Sequence, residues 1–369
     1  MNSILYLIRP LIAAQLVLTG FTAAAQEISI PDPGLTAAIR ETLQKPNGQL
    51  AERDLLGLTN LNASGRSVSS LEGLQAARNL TVLNLQSNRL ATLSFPSELT
   101  QLSVLDLSFN PLTNCAFPLG LTNLTGLAIE EAGLTSLSLP ADMTNLVALQ
   151  VFFNQLTNLT FPPELRNLVT LDLEGNQFSS FNVPSNLIRL GFLNLRANQL
   201  TNVALPAGLT NLNILYLDEN QLTNLDLPAG LKSLTFLQVS DNQLVSLTLP
   251  PDMTNLSSLF LDGNPFTALV LSEPLAAINL AELVAALGRQ NISVFTYPLT
   301  PRLVAPRQPG DGSFQFALTG PPGVYVVLAS TNLAAWSELA VLTNQVGTVR
   351  FADVAARFSP QKFYAVRPF

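Results

Sequence analysis

The stretch NLVTLDLEGNQF at residues 167–178 decides the fold, because it returns as NLTVLNLQSNRL (79–90), QLSVLDLSFNPL (101–112) and NLNILYLDENQL (211–222), always at a multiple of 22 residues. A fixed period without insertions marks stacked structural units. Asparagines keep the count: Asn88, Asn110, Asn154, Asn176, Asn198, Asn220, Asn242 and Asn264 fall 22 residues apart or at a multiple of it. Ala132 interrupts that column, and Arg66 holds the equivalent place one unit earlier, so ten units run over residues 58–271.

Within each unit leucines alternate about a short extended segment, as in Leu83-Asn84-Leu85 and Leu215-Tyr216-Leu217. Alternation of this kind puts one side chain set into a core and the other toward water, which is one β-strand per unit. Further apolar positions follow the asparagine, then a proline at 96, 118, 140, 162, 184, 206, 228 and 250. Proline lacks the amide hydrogen that a helix interior needs, so the return path is not helical. A lone unit buries too little to offset the ordering of its backbone, whereas stacked units share their leucine layers and form a solenoid. The asparagine amide, placed where the chain turns out of the strand, is expected to satisfy backbone groups that the turn leaves unpaired. Cys115 stands in the column of Leu93, Leu137, Leu159, Leu225 and Leu247 and is expected to be a buried, inert replacement for leucine.

These units resemble the leucine-rich repeat, and the 22-residue period is similar to that of secreted bacterial members of the internalin type. The resemblance implies a leucine-rich-repeat solenoid with one parallel β-strand per 22-residue repeat, a non-helical convex side, a helical N-terminal cap and a role in binding a partner. IPDPGLTAAIRETLQ (30–44) is similar to the helical cap of such proteins. Asp32 and Pro33 suit a helix start, Leu35, Ile39 and Leu43 share a face, and a second short helix is expected from Ala51 to Gly57, so residues 26–57 form the cap.

Beyond the array, Asn279 and Glu282 have capping-box spacing for a helix through Leu283, Val284 and Leu287, and an extended segment from Ile292 to Tyr297 completes a C-terminal cap over residues 272–297. Residues 298–312, with three prolines and two glycines from Pro301 to Gly312, read as a stiff linker. Alternating strands then follow in 313–369, five in number, which suggests a small β-sandwich-like domain. GVYVVLASTNLAAW (323–336) resembles a C-terminal module that recurs on secreted bacterial proteins, and surface attachment is its expected role.

The first segment, MNSILYLIRPLIAAQLVLTGFTAAAQ, combines Arg9, an apolar run from Leu11 to Ala25 and the triplet Ala23-Ala24-Ala25. It reads as a signal peptide spanning 1–25, cut after Ala25, which implies export to the periplasm, cell surface or medium and a mature chain without a membrane span. The chain has 369 residues, 12% of them charged, and a net charge of −7, so its surface is wetted largely by Asn, Thr, Ser and Gln. One cysteine leaves no intrachain disulfide, and the lack of histidine removes the usual general base and the commonest metal ligand. No cofactor or metal is expected. Calcium at Asp218, Asp241 and Asp262 finds no compact ligand loop. Nucleic acid is disfavoured because the mature chain is net acidic and its basic residues are not expected to cluster.

Outward strand positions define the candidate binding face. Phe192, Tyr216, Phe236 and Phe260 occur in four successive units and predict an exposed aromatic patch, with Phe152 and Phe153 as a smaller one. Their neighbours Glu130, Glu131, Glu174, Arg196, Asp218, Glu219, Asp241 and Asp262 form a mainly acidic rim, which predicts a protein ligand of basic character. Aromatics also suit strands and sugar rings, so a carbohydrate-binding or structural envelope role stays open. Catalysis is not expected. The adjacent pairs Glu130/Glu131 and Asp218/Glu219 would point to opposite sides of an extended chain, and Arg196 stands between Glu174 and Asp218, where it is expected to lower both carboxyl pKa values.

Overall fold

The computed structural model describes residues 27–369. The expected leader at 1–25 lies outside them. Ten three-residue strands, from Asn60–Asn62 to Ser258–Phe260, form one parallel sheet in which each strand pairs with that of the next unit. Register is held by the leucines: Leu83 faces Leu105 and Leu105 faces Leu127, all buried. Because every unit has the same length, each strand meets the next without slip, and the in-pointing side chains form continuous layers.

The convex side is not helical. Each proline opens a tight turn instead, with Met143 N donating to Pro140 O (3.2 Å) and Leu165 N to Pro162 O (3.1 Å). Short parallel pairs run beside these turns, such as Asn114–Ala116 with Ser136–Ser138 and Ser180–Asn182 with Asn202–Ala204. Cys115 is buried opposite Leu137, and loss of water pushes its thiol pKa upward.

The asparagine column joins consecutive units. Asn176 Nδ2 donates to Leu173 O (3.1 Å), to Glu174 O (3.2 Å) and across to Val151 O (3.0 Å), while its Oδ1 accepts from Leu156 N (3.0 Å). The same pattern recurs from Asn88 to Asn264. Where Ala132 stands in its place, Leu112 N bonds to Asn110 O of its own turn at 2.8 Å. A second ladder uses the asparagine that precedes several of the strands: Asn123 donates to Thr100 O (2.9 Å), Asn145 to Thr122 O (2.8 Å) and Asn167 to Thr144 O (3.0 Å).

At the N-terminal end, helix α1 (Pro33–Thr42) starts at Asp32, whose carboxylate accepts from Leu35 N at 2.9 Å. Leu35 and Ile39 are fully buried against the first unit. Helix α2 (Glu52–Leu55) is a single turn held by Asp54, which accepts from Ala51 N at 2.8 Å.

At the other end a π-helical turn, Leu275–Asn279, leads into helix α3 (Ala281–Arg289). The capping box does not form. Leu280 occupies the N-cap without a side-chain bond, and Asn279 donates instead to Thr254 O (3.2 Å), because a carbonyl of the preceding unit lies within its reach. The strand Ser293–Tyr297 then pairs in parallel with Ala268–Ser272, and Tyr297, fully buried, donates its hydroxyl to Leu249 O at 2.6 Å.

Part of the expected linker is a strand. Arg302–Arg307 pairs antiparallel with Phe314–Thr319, which pairs in turn with Thr348–Asp353. Its one proline, Pro306, is tolerated because this is an edge strand with a bulge between Val304 and Arg307, where no ladder bond is required. A second antiparallel sheet orders Ser337–Asn344, Gly323–Ser330 and Phe363–Pro368. The five strands expected over residues 313–369 are all present, and Arg302–Arg307 adds a sixth from the expected linker. Phe314 stacks on Tyr364 (4.9 Å between centroids) and Phe316 packs on Phe351 (5.2 Å). The module is seated on the solenoid: Gly347, at φ 93°, leaves only 2.9 Å between an added Cβ and that of Tyr297, so a backbone turn lies flat against the last solenoid strand.

Candidate functional site

The face that carries the site is the outer surface of the ten-stranded sheet. Parallel pairing places Phe192, Ile214 and Phe236 in one column, and Asn194, Tyr216, Gln238 and Phe260 in the next. The aromatics zigzag between the columns and touch. Ring centroids are 5.9 Å apart for Phe192 and Tyr216, 5.0 Å for Tyr216 and Phe236, and 5.3 Å for Phe236 and Phe260. Tilted contacts at these distances suit the ring quadrupoles and fix the side chains relative to one another. Phe260, 42% exposed at the open end of the ribbon, presents the most surface, and the other three are half-buried by their neighbours.

Phe152 and Phe153 meet edge to face at 5.5 Å. They can do so because Phe153 is left-handed, φ 53°, which swings its side chain out of the strand direction. Its ring fills the place where a side chain at position 175 would begin, 2.2 Å from an added Cβ, so the next unit carries Gly175 there. The left-handed residue recurs before the asparagine column, at Glu131, Ala197, Glu219 and Asp241 among others.

That backbone turn overturns one expectation. Asp218 and Glu219 do not point to opposite sides: the left-handed turn at Glu219 brings both carboxylates to the same guanidinium. Arg196 Nε lies 3.2 Å from Asp218 and 3.8 Å from Glu174, and its Nη2 lies 2.5 Å from Glu219. Asn194 donates to Glu174 at 2.9 Å and orients it. Asp218 was expected on an exposed rim but is 2% exposed, and its Oδ1 has no hydrogen-bond partner. Burial raises its carboxyl pKa above the ordinary value, and the pull of Arg196 in the other direction does not cancel that rise. The lowering expected from Arg196 is thus outweighed by loss of solvent.

The remaining acids are arranged as a rim. Glu131, Asp241 and Asp262 are exposed, and none of the three has an ion pair among the described residues. Glu130 and Asp172 are half-buried, and burial, reinforced for Glu130 by repulsion from Asp106, Asp172 and Glu131, raises their carboxyl pKa values. Asp172 sits beside Glu174 and Asn194 and belongs to the cluster, although its column alone did not single it out. Among the described residues no three acidic, cysteine or histidine side chains converge as a metal site would require.

What this surface can do is bind. It offers an open apolar ribbon, carboxylates beside it and one fixed cation, and among the described residues no enclosed cavity lies over them to exclude water from a reaction.

Comparison with known proteins agrees with the geometry. A family profile described as Leucine Rich repeats (2 copies) matches residues 78–120, and one described as BspA type Leucine rich repeat region (6 copies) matches 134–244 and 172–280. No protein of the curated set matches the chain. Among solved structures, an internalin (inlF) from Listeria monocytogenes is 24% identical with a TM-score of 0.52, covering 74% of this chain and 93% of its own. Internalin C2 (inlC2) from the same organism is 28% identical with a TM-score of 0.48, over 64% of this chain and 94% of its own. YopM from Yersinia enterocolitica is 30% identical with a TM-score of 0.45, over 60% and 49%. The first of these likenesses is one of fold. Among the described residues no helix is long and apolar enough to cross a membrane.

Proposed function

We propose that this chain, a leucine-rich-repeat protein whose fold is similar to that of an internalin, is an exported binding protein whose repeat sheet takes a protein partner with a basic, partly apolar segment. The observation that carries the reading is the aromatic ribbon from Phe192 to Phe260, continuous over four units and bordered by Glu219, Asp241 and Asp262. Apolar anchors at the centre of a contact supply affinity, and a charged border supplies orientation and a faster encounter. Ten strands give a face roughly 45 Å long, enough for an interface of ordinary size.

Binding rather than catalysis fits the chemistry. Arg196 occupies the space between Glu174 and Asp218, and the sequence has no histidine to move a proton at neutral pH. The N-terminal 25 residues support export, and the internalin inlF shares the repeat fold. N-terminal sequencing of the product released from cells tests the first point: it should begin at Gln26.

The binding reading is tested by partner capture with the intact chain beside a Tyr216→Ala, Phe236→Ala, Phe260→Ala variant. We expect the intact chain to retain a protein that the variant loses, and the retention to weaken as salt rises. Equal recovery by both would remove the ribbon from the mechanism. A polysaccharide ligand is the second reading, favoured by the unbroken row of rings; capture by an immobilised neutral glycan, insensitive to salt, would support it instead.

A further inference from the structure

The chain is electrically two-sided. Residues 58–297 carry eight Lys and Arg against seventeen Asp and Glu, whereas residues 298–369 carry six against three, so the array is net −9 and the C-terminal module net +3. The surplus of the module is concentrated. Lys362 is paired with Asp353 at 2.6 Å and Arg367 with Glu338 at 2.7 Å, and Arg357 lies over the ring of Phe358 at 4.8 Å, which leaves Arg302, Arg307 and Arg350 with neither a carboxylate in ion-pair range nor an aromatic ring beneath them among the described residues.

Strand pairing collects these three on one face. Arg302 stands opposite Thr319 and Thr319 opposite Thr348; Val304, Ala317 and Arg350 form the next row; Arg307, Gln315 and Ala352 form the last. Antiparallel partners project to the same side, so the face holds three exposed arginines and no acid. The opposite face, with Phe316 and Leu318, is the buried one. Separated by up to 48 positions in the sequence, these arginines do not form a cluster until the sheet folds. A cleft of about 180 Å³ lies between Arg307 and Arg350, beside the bulge where Ala305 is left-handed (φ 50°). Two guanidiniums flanking a small cleft match a carboxylate.

The complementary surface is on the same chain. Glu131, Asp241 and Asp262 are exposed, unpaired and on the acidic border of the repeat sheet. We infer that the arginine face of the module docks on the acidic border of the repeat sheet of a second copy, so that copies associate head to tail. This inference rests on the reading of the repeat sheet as an interaction surface and names one partner for it. Such a contact joins two different patches, so each copy keeps a free patch of each kind and can add a further copy, into an open row or a closed ring. Phe236 and Phe260, in the same repeats as Asp241 and Asp262, give the contact an apolar component beside its charges.

Sedimentation of the chain at low and at high salt tests this. At low salt the mass should exceed that of the monomer and rise with concentration, and high salt should return it to the monomer. Arg302→Glu, Arg307→Glu, Arg350→Glu in one chain should abolish association, as should Glu131→Arg, Asp241→Arg, Asp262→Arg in another. All six positions are exposed, so both variants should melt as the unaltered chain does. Mixed in equal amounts, the two variants should regain association to within about tenfold of the original, because each then offers the sign that the other needs.

A chain that stays monomeric at low salt, or a mixture that does, overturns the inference. So does persistent association of the arginine variant. Retention of a monomeric chain on a polyanion such as heparin, lost in the arginine variant, would assign the face to a polymer and overturn it as well. Capture of a foreign partner by the arginine variant should be unchanged, so failure of self-association is separable from failure of the binding reading.

Discussion

Asp32 ties the first helix to a turn 37 residues away: its Oδ2 accepts from Ser69 N at 2.8 Å and from Ser69 Oγ at 3.0 Å, while its Oδ1 caps the helix at Leu35 N. One buried carboxylate thus joins the N-terminal cap to the first repeat. Burial alone would raise its pKa, but the hydrogen bonds from Ser69, Leu35 and Ser70 outweigh that and hold it below the ordinary 3.8. The stability it contributes is present above pH 3.8 and is lost as the pH falls through the lower folded value. Asp32→Ala should lower unfolding free energy by about 2–3 kcal/mol at neutral pH, read by urea titration, and should remove that acid-sensitive component. An unchanged midpoint would mean that the cap is not coupled to the array.

Ala132 marks a missing staple. With asparagine there, Leu112 N would gain the side-chain acceptor that Leu156 N has from Asn176. Ala132→Asn should therefore raise stability by about 1 kcal/mol, and Asn176→Ala should lower it by about 2–3 kcal/mol because several buried backbone groups lose their partner together. Thermal unfolding of the two variants beside the original checks both signs.

Arg196 neutralises a buried acid. Arg196→Ala should destabilise the fold at neutral pH by about 1–3 kcal/mol, less than for a fully buried pair because the guanidinium is partly solvated. Asp218 has a raised folded pKa, so the fold holds its proton more tightly than the unfolded chain, and stability falls as pH rises from 3.8 through the folded value. The deficit of the variant should accordingly shrink on acidification. Denaturation midpoints at a series of pH values measure it, and a deficit constant with pH would contradict this account.

Cys115 should be silent. Buried opposite Leu137 with its thiol pKa raised, it should resist alkylation by iodoacetamide in the folded chain at neutral pH and react at once in denaturant. Mass spectrometry distinguishes the two states, and rapid labelling of the native chain would place the thiol at the surface.

Much of this was legible in the residues and some was not, for physical reasons. Leucine spacing and the asparagine and proline columns report the strand, the staple and the non-helical return, since each depends on a property of one residue type. The left-handed position does not announce itself, because Phe153, Glu131, Glu219, Asp241 and Ala197 all occupy it. Extended geometry was therefore assumed at Asp218-Glu219, and their common bond to Arg196 was missed. The prolines of residues 301–309 suggested a linker, but on an edge strand proline forfeits nothing. Asn279 had capping-box spacing, and the outcome turned on Thr254 O, a carbonyl distant in sequence. The aromatic ribbon was legible as four names in four units; that the rings touch follows only from the unslipped pairing.

That unslipped pairing makes the molecule a ruler with one graduation per unit. Excising residues 199–220 should join Asn198 to Gln221 with every staple still meeting its carbonyl, shortening the sheet by one spacing of about 4.8 Å. Excising eleven would turn strand onto proline and break the stack. Reach across a partner can therefore change in whole steps, by duplication or loss, without either end having to be rebuilt.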